Sequence, residues 1–370
     1  MNVRIKVLKT LWVLGRAVLI AESLRLLLTL TSGSSRPWLD WLFTLQKPCR
    51  AINEYEFRYL ELMKIIKRIL IALFAIIVLA GIYFWIKFLI YNQETKTMNA
   101  SARKNTSGQF IELTAGITHY ESGGVDTGKV IILVHGFSVP YYIWDGTYDS
   151  LVKAGFHVIR YDEFGRGFSD RPNVIYDAVL YRTQLHDLVT SLKLKTPVSL
   201  AGVSFGGAVV SDFASHFPQL IDKIILIDPV YAFGKIGVGE IIANYKMAID
   251  HEKQAEGQLE DFKYPEQFPG WVDKYKVQMQ YKGFRRALIS TRNNYSADSI
   301  ISNYHTLAGL QKKILLIWGK EDETVSFQYS DSLRKILPVD FFPVDDARHL
   351  PYLEKPALIN QKIISFLKEN

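Results

Sequence analysis

An α/β fold with a mostly parallel sheet, preceded by one membrane-length apolar segment, is what this sequence predicts. Three observations carry that expectation. Short apolar runs rich in Val and Ile recur between helix-length stretches, as strands buried on both faces of a parallel sheet do. One uncharged run near the N-terminus is far too long for a strand. A serine framed by glycines stands where a strand run meets a helical one. The composition of the 370 residues, 48% hydrophobic and 22% charged, is that of a globular chain and excludes general disorder. A single cysteine, Cys49, excludes an intramolecular disulfide framework and a Cys-rich zinc site. Residues 1–98 hold 14 Lys and Arg against 6 Asp and Glu, whereas residues 99–370 hold 30 against 31. The basic excess therefore belongs to the N-terminal quarter, and the remainder offers no electrostatic footprint for nucleic acid.

In chain order, residues 1–62 come first as an extension of uncertain status. Leu11 to Leu30 is apolar but carries Arg16, Glu22 and Arg25, which suits an interfacial helix better than a span. Residues 63–92 read as a transmembrane signal-anchor. Ile69 to Ile86 has no charged side chain, and Phe88-Leu89-Ile90 resumes the run after Lys87. As a helix, Ile69–Ile90 would be roughly 33 Å long, enough for a hydrocarbon core of about 30 Å. Tyr83, Phe84 and Trp85 gather toward one end, at headgroup level, and Lys64, Lys67 and Arg68 crowd the other. That asymmetry favours a cytoplasmic N-terminus and an extracytoplasmic domain from residue 93 onward. Met63-Lys64-Ile65-Ile66-Lys67-Arg68 is also how a signal anchor begins, so translation from Met63 is an alternative to Met1.

Beyond the anchor, residues 110–113 and 117–121 form a leading hairpin. Six further runs read as strands: 130–134, 157–161, 198–203, 224–227, 314–318 and 341–344. Helices are expected near 142–154, 176–192, 205–216, 327–337 and 357–368, the last with Pro356 at its first turn. Residues 230–310 break the alternation with about eighty residues and a dozen aromatic side chains. Strand–helix alternation of this kind puts helices on both faces of the sheet.

The chemistry falls where strands end. Gly202-Val203-Ser204-Phe205-Gly206-Gly207 follows one strand run and opens a helix, the setting of an exposed nucleophile on a tight turn. A serine hydroxyl needs a base to take its proton, and the base needs an acid to fix its tautomer. For this motif the acid and then the base should follow in sequence. Asp322 follows the 314–318 strand and His349 follows the 341–344 strand. Asp228, after 224–227, is the competing acid; Glu321 and Glu323 read as solvated neighbours. The other histidines (His119, His135, His157, His186, His216, His251 and His305) read as surface or packing residues. In His135-Gly136-Phe137-Ser138 the glycine lets the chain turn, so the backbone N–H groups of Phe137 and Phe205 are the expected oxyanion-hole donors. The glycines of Tyr161-Asp162-Glu163-Phe164-Gly165-Arg166-Gly167-Phe168-Ser169-Asp170 do not open a helix after a first strand, so a structural loop is expected rather than a phosphate site.

With HGF at 135–137, YDEFGRGFSD at 161–170, GVSFGG at 202–207, WGKED at 318–322 and ARHLPYLEKP at 347–356, the chain resembles the α/β-hydrolase fold family over residues 108–368. The resemblance implies catalytic Ser204, Asp322 and His349, no cofactor and no metal, and a helical cap at about 230–310 within a hydrolase domain of 93–370. Arg348 departs from the family pattern, which often has Gly before the histidine. Ser204 argues against the branches that use an aspartate nucleophile. Anchor, cap and serine together are similar to membrane-bound monoacylglycerol-lipase-like hydrolases.

The expected substrate is a small-molecule or lipid ester with an apolar acyl group, contacted in part by the cap aromatics. Alternatives are another serine-nucleophile hydrolase (C–C bond hydrolase, thioesterase, aminopeptidase or cofactor-free peroxidase) or a low-turnover binding protein.

Overall fold

The computed structural model describes residues 37–232 and 234–369, with the backbone alone for 37–53. The apolar stretch 11–30 and Phe233 of the aromatic insert lie outside the described residues. Helix α1 runs from Pro37 to Tyr91, without a break at Met63. Its portion Glu54–Tyr91 is long and apolar enough to cross a membrane by length and composition, and none of its most apolar window is buried. Ile69, Phe74, Ile77 and Leu79 are all open. A core helix of a water-soluble domain would bury such side chains.

From Tyr83 onward the chain forms a second compact unit. It is built on one sheet of eight strands in the order β1-β2-β4-β3-β5-β6-β7-β8. β1 (Gln109–Leu113) and β2 (Gly116–Gly124) form the antiparallel hairpin, and β2 continues antiparallel onto β4 (His157–Tyr161). The rest is parallel: β3 (Val130–Val134), β5 (Val198–Val203), β6 (Ile221–Ile227), β7 (Lys313–Gly319) and β8 (Asp340–Val344). Every residue of β3 and β5 is buried, which is why these strands read as unbroken apolar runs rather than alternating ones.

The two faces divide the core. Ile132 and Val134 point into one cluster, with Leu185 and Leu188 of α3 (Ala178–Ser191) and Val209 and Phe213 of α4 (Phe205–His216). Ile131 and Leu133 point into the other, with Leu151 of α2 (Asp145–Lys153) and Ile359 and Ile363 of the C-terminal helix Pro356–Lys368. Both faces are covered by helices, as a parallel sheet requires.

Between β6 and β7 the described residues form helices and no strand. The longest are α5 (Glu240–Ile249), α6 (Trp271–Met279), α7 (Phe284–Asn294) and α8 (Ala297–Gly309). Their rings pack among themselves and on the sheet domain: Phe262 stacks on Phe268 with centroids 4.0 Å apart, and Tyr295 meets Phe205 edge-on at 4.9 Å.

Candidate active site

β5 ends at Val203 and α4 begins at Phe205, so Ser204 alone makes the turn, at φ 53° and ψ −119°. For a serine this is a strained backbone region, sustained only by its surroundings. The Ser204 N–H donates to the Ile227 carbonyl at 2.9 Å, and the Ser204 carbonyl accepts from Gly207 and Val230, each at 3.0 Å. Side chains would break the turn. A Cβ on Gly202 would lie 2.4 Å from the Gly206 carbonyl oxygen, and one on Gly206 would lie 2.4 Å from the oxygens of both Val134 and His135.

Because β3 and β5 are neighbours, with Val134 opposite Gly202, the loop after β3 lies beside this turn. The His135 ring is fully buried: its Nε2 accepts from the Glu163 N–H at 2.9 Å, and its Nδ1 pairs with the Gly136 carbonyl at 2.7 Å. Burial lowers its pKa to about 4, so it is a neutral strut, as expected. Burial also pushes the Glu163 carboxyl up to about 8. Phe137 lines the same cavity as Ser204, and Phe205 follows the serine directly.

Asp322 and His349 come from the loops after β7 and β8, adjacent strands with Gly319 opposite Val344. His349 Nδ1 and Asp322 Oδ2 are 2.8 Å apart, and the other carboxylate oxygen accepts from the Thr324 and Val325 N–H groups, each at 2.9 Å. Burial alone would lower the His349 pKa. The adjacent Asp322 carboxylate, through its charge and hydrogen bond, with Asp261 adding, more than offsets that and raises it above 6.5. His349 and Ser204 line one cavity of about 280 Å³, and no other histidine does so among the described residues.

Asp228 also reaches this place. It ends β6 at φ 43°, is fully buried, and accepts from the Gly319 N–H at 2.9 Å. Burial, reinforced by the Asp322 charge and a shared hydrogen bond, raises its pKa well above the ordinary carboxylate value. It therefore sits beside Asp322 as the more readily protonated of the two carboxyls. Asp228, Asp322 and His349 each offer a donor atom within 4.8 Å of the others, but a cation among them would have to displace the His349–Asp322 hydrogen bond. Glu321 pairs with Lys263 at 2.6 Å and the exposed Glu323 with Arg348 at 3.5 Å, as solvated neighbours do.

The 161–170 segment is a structural loop. Asp162 gathers the His119 ring at 2.7 Å and the N–H groups of Tyr141 and Phe168, each at 2.9 Å. Two supports were not anticipated. Arg166, fully buried, donates through Nε to the Phe137 carbonyl at 2.9 Å and through Nη2 to Thr291 at 3.1 Å. Gln278 donates to the Ser138 carbonyl at 2.7 Å and accepts from the Gly167 N–H at 3.0 Å. The arginine between two glycines was the available signal; Gln278 had none.

One expectation is corrected. The insert gives the cavity Gly257, Gln258, Glu260 and Asp261, and among the described residues none of its aromatic rings is in the lining. Those rings are used in packing, as with Phe262, Trp271 and Tyr275, all buried in the core. Asp261 instead meets the base, its carbonyl accepting from the His349 N–H at 3.1 Å. Arg348 reaches the Glu260 carbonyl at 3.3 Å, tying the histidine loop to the insert.

Comparison with known proteins agrees with this architecture. The AB hydrolase superfamily protein YfhM of Bacillus subtilis is 27% identical over 285 residues, covering 70% of this chain and 97% of its own length. Lipase 1 of Psychrobacter immobilis is 23% identical over 248 residues, 64% of this chain and 75% of its own. The meta-cleavage product hydrolase of Pseudomonas fluorescens IP01 superposes with a TM-score of 0.59 at 22% identity, over 70% of this chain and 97% of its own. The model of the alpha/beta hydrolase fold matches residues 129–356. On that match, and on its sheet and strand-to-helix turn, the chain belongs to the α/β-hydrolase family.

Proposed function

We propose that this protein is a serine hydrolase that cleaves carboxylic esters of lipid-like or medium-chain apolar substrates through an acyl-enzyme on Ser204. One observation carries the reading: a serine on a strained strand-to-helix turn opens into the same cavity as a histidine held by a buried carboxylate. In this mechanism His349 Nε2 takes the serine proton as Oγ attacks the ester carbonyl. The Phe137 and Phe205 N–H groups receive the oxyanion, and His349 returns the proton to the leaving alcohol. Water then repeats the sequence to release the acid. Asp322 holds the imidazole by Nδ1–H and stabilises its charged form. The helical insert acts as a cap, and α1 anchors the domain to a membrane, with residues from 93 onward outside the cytoplasm.

A second reading is favoured by the cavity itself. At about 280 Å³, with Gln258, Glu260 and Asp261 on the insert side, it suits a short polar acyl group as well as an alkyl chain. A small-ester hydrolase, or a C–C bond hydrolase like the meta-cleavage relative, would use the same residues.

The test is kcat/KM across p-nitrophenyl esters from acetate to decanoate, with fluorophosphonate labelling as the control for the nucleophile. Each CH₂ buried only in the transition state is worth about 0.8 kcal/mol, or roughly fourfold, so the lipid reading predicts a rise until the pocket is full. A steady fall with length would move the assignment to small substrates. Labelling that survives Ser204→Ala would remove the serine from its role.

A further inference from the structure

The chain leaving α1 is built into the helical insert. Glu94 accepts from the N–H groups of Gly283 at 2.9 Å and Arg285 at 2.6 Å, at the start of α7. The buried Arg285 donates to Asn92 at 2.7 Å and to Asn244 of α5 at 2.8 Å, and its guanidinium lies 5.7 Å from the Phe88 ring centre. Phe84 meets Tyr245 of α5 edge-on at 5.6 Å. Six residues separate Phe84 from Ile90, the last residue of the apolar run, so α5 is held about 9 Å short of where that run ends.

Ile241 and Tyr245, four apart on α5, share one helix stripe with Ile242 beside it, and Val238 stands in the turn just before the Gly239 cap. Tyr245 is taken up by Phe84, while Ile241 is 87% and Ile242 52% exposed, and Val238 is open as well. Isoleucines of the central strands β3 and β6, by contrast, are buried. Lys235 before the helix and Lys246 on it are exposed, as is Glu240 at the helix start. An apolar stripe with flanking cations, continuous with a ring at headgroup level, has the chemistry of an interfacial helix on an anionic bilayer.

We infer that Val238, Ile241 and Ile242 of the insert seat in the headgroup–acyl boundary of the bilayer that holds α1. The insert is then the face of the hydrolase presented to lipid. This rests on the membrane reading of α1 and deepens it, since it assigns part of the insert itself to the lipid surface.

The full-length chain, with Cys49→Ser and Ile241→Cys carrying an NBD fluorophore, is reconstituted into phosphatidylcholine–phosphatidylglycerol vesicles containing lipid brominated near the carbonyl end of its acyl chain. A second label at Leu358→Cys, an exposed position on the C-terminal helix, reports a face turned to water. Quenching about threefold stronger at 241 than at 358 is the expected result. Co-flotation with vesicles but equal, weak quenching overturns the seating and leaves the anchor standing. Failure to float overturns both.

A functional arm uses Ile241→Ser with Ile242→Ser, both at exposed positions. Activity on a vesicle-borne ester should fall about tenfold, with no change on a water-soluble monomeric ester. An unchanged ratio of the two rates overturns the seating.

Discussion

His349 titrates above 6.5 in the fold because the charge and hydrogen bond of Asp322 outweigh burial, and this fixes the sign of two pH effects. The base must be neutral, so kcat/KM should fall as pH drops through that raised value and level off above it. The pair's contribution to folding runs the other way: full below about 6.5, it is lost as pH rises through the folded value. A rate profile flat from about pH 5 to 8, with chemistry limiting, would count against a histidine base. The two aspartates separate by the same logic. Asp322→Asn removes the acceptor of the imidazole N–H and should cost about 10⁴ in kcat. Asp228 does not hold the imidazole; its carboxyl accepts from the Gly319 N–H, which an asparagine carbonyl oxygen can still do, so Asp228→Asn should cost about tenfold or less. The reverse ranking in steady-state kinetics would move the acid to the end of β6. The candidate triad was legible because each member follows a strand run at short range, in the expected order. Asp261 was not, since it reaches His349 through backbone and stands on a short turn with no periodic signature.

Strands were the most legible elements, because burial on both faces leaves an uninterrupted apolar run that few other arrangements produce. Helix starts were less so: the stretch expected from 142 opens as a 3₁₀ turn, Tyr141–Trp144, whose Ile143 and Trp144 are buried, before α2 begins at Asp145. The insert was the least legible, since it is broken by Gly257, Pro265, Gly270 and Gly283 into pieces too short for a clear period. Its aromatic content suggested a pocket lining. A ring buries about 150–250 Å², however, and short helices need that area to hold themselves to the sheet domain. Between β5 and α4 the close approach of Gly206 to the carbonyls of Val134 and His135 makes the turn depend on the absence of one methyl group. Gly206→Ala should push α4 away from β3, cost about 1–3 kcal/mol in thermal or urea unfolding, and lower kcat far more than an exposed-surface substitution of equal cost. An alanine variant with unchanged kcat would show that the turn tolerates the shift.

At the scale of the whole chain, the charge asymmetry of the sequence predicts the side of the membrane on which the domain works. Lys64, Lys67 and Arg68 should hold the start of the apolar run in the cytoplasm. A fusion of alkaline phosphatase after residue 93 should then be active, and a green fluorescent protein fusion there dark when exported by the Sec route. The opposite pair of results would put the hydrolase inside. The link between α1 and the domain matters as much as its side. Asn92, Glu94 and Lys96 are hydrogen-bonded to the insert rather than left as a loose leash. An enzyme on a flexible leash explores a volume that grows with linker length. On the proposed membrane reading, one strapped at its exit searches in two dimensions, and the substrate it meets is counted per unit area. Its rate should follow the mole fraction of ester within the lipid: adding inert lipid slows it, while adding buffer at fixed lipid composition leaves each molecule's turnover unchanged.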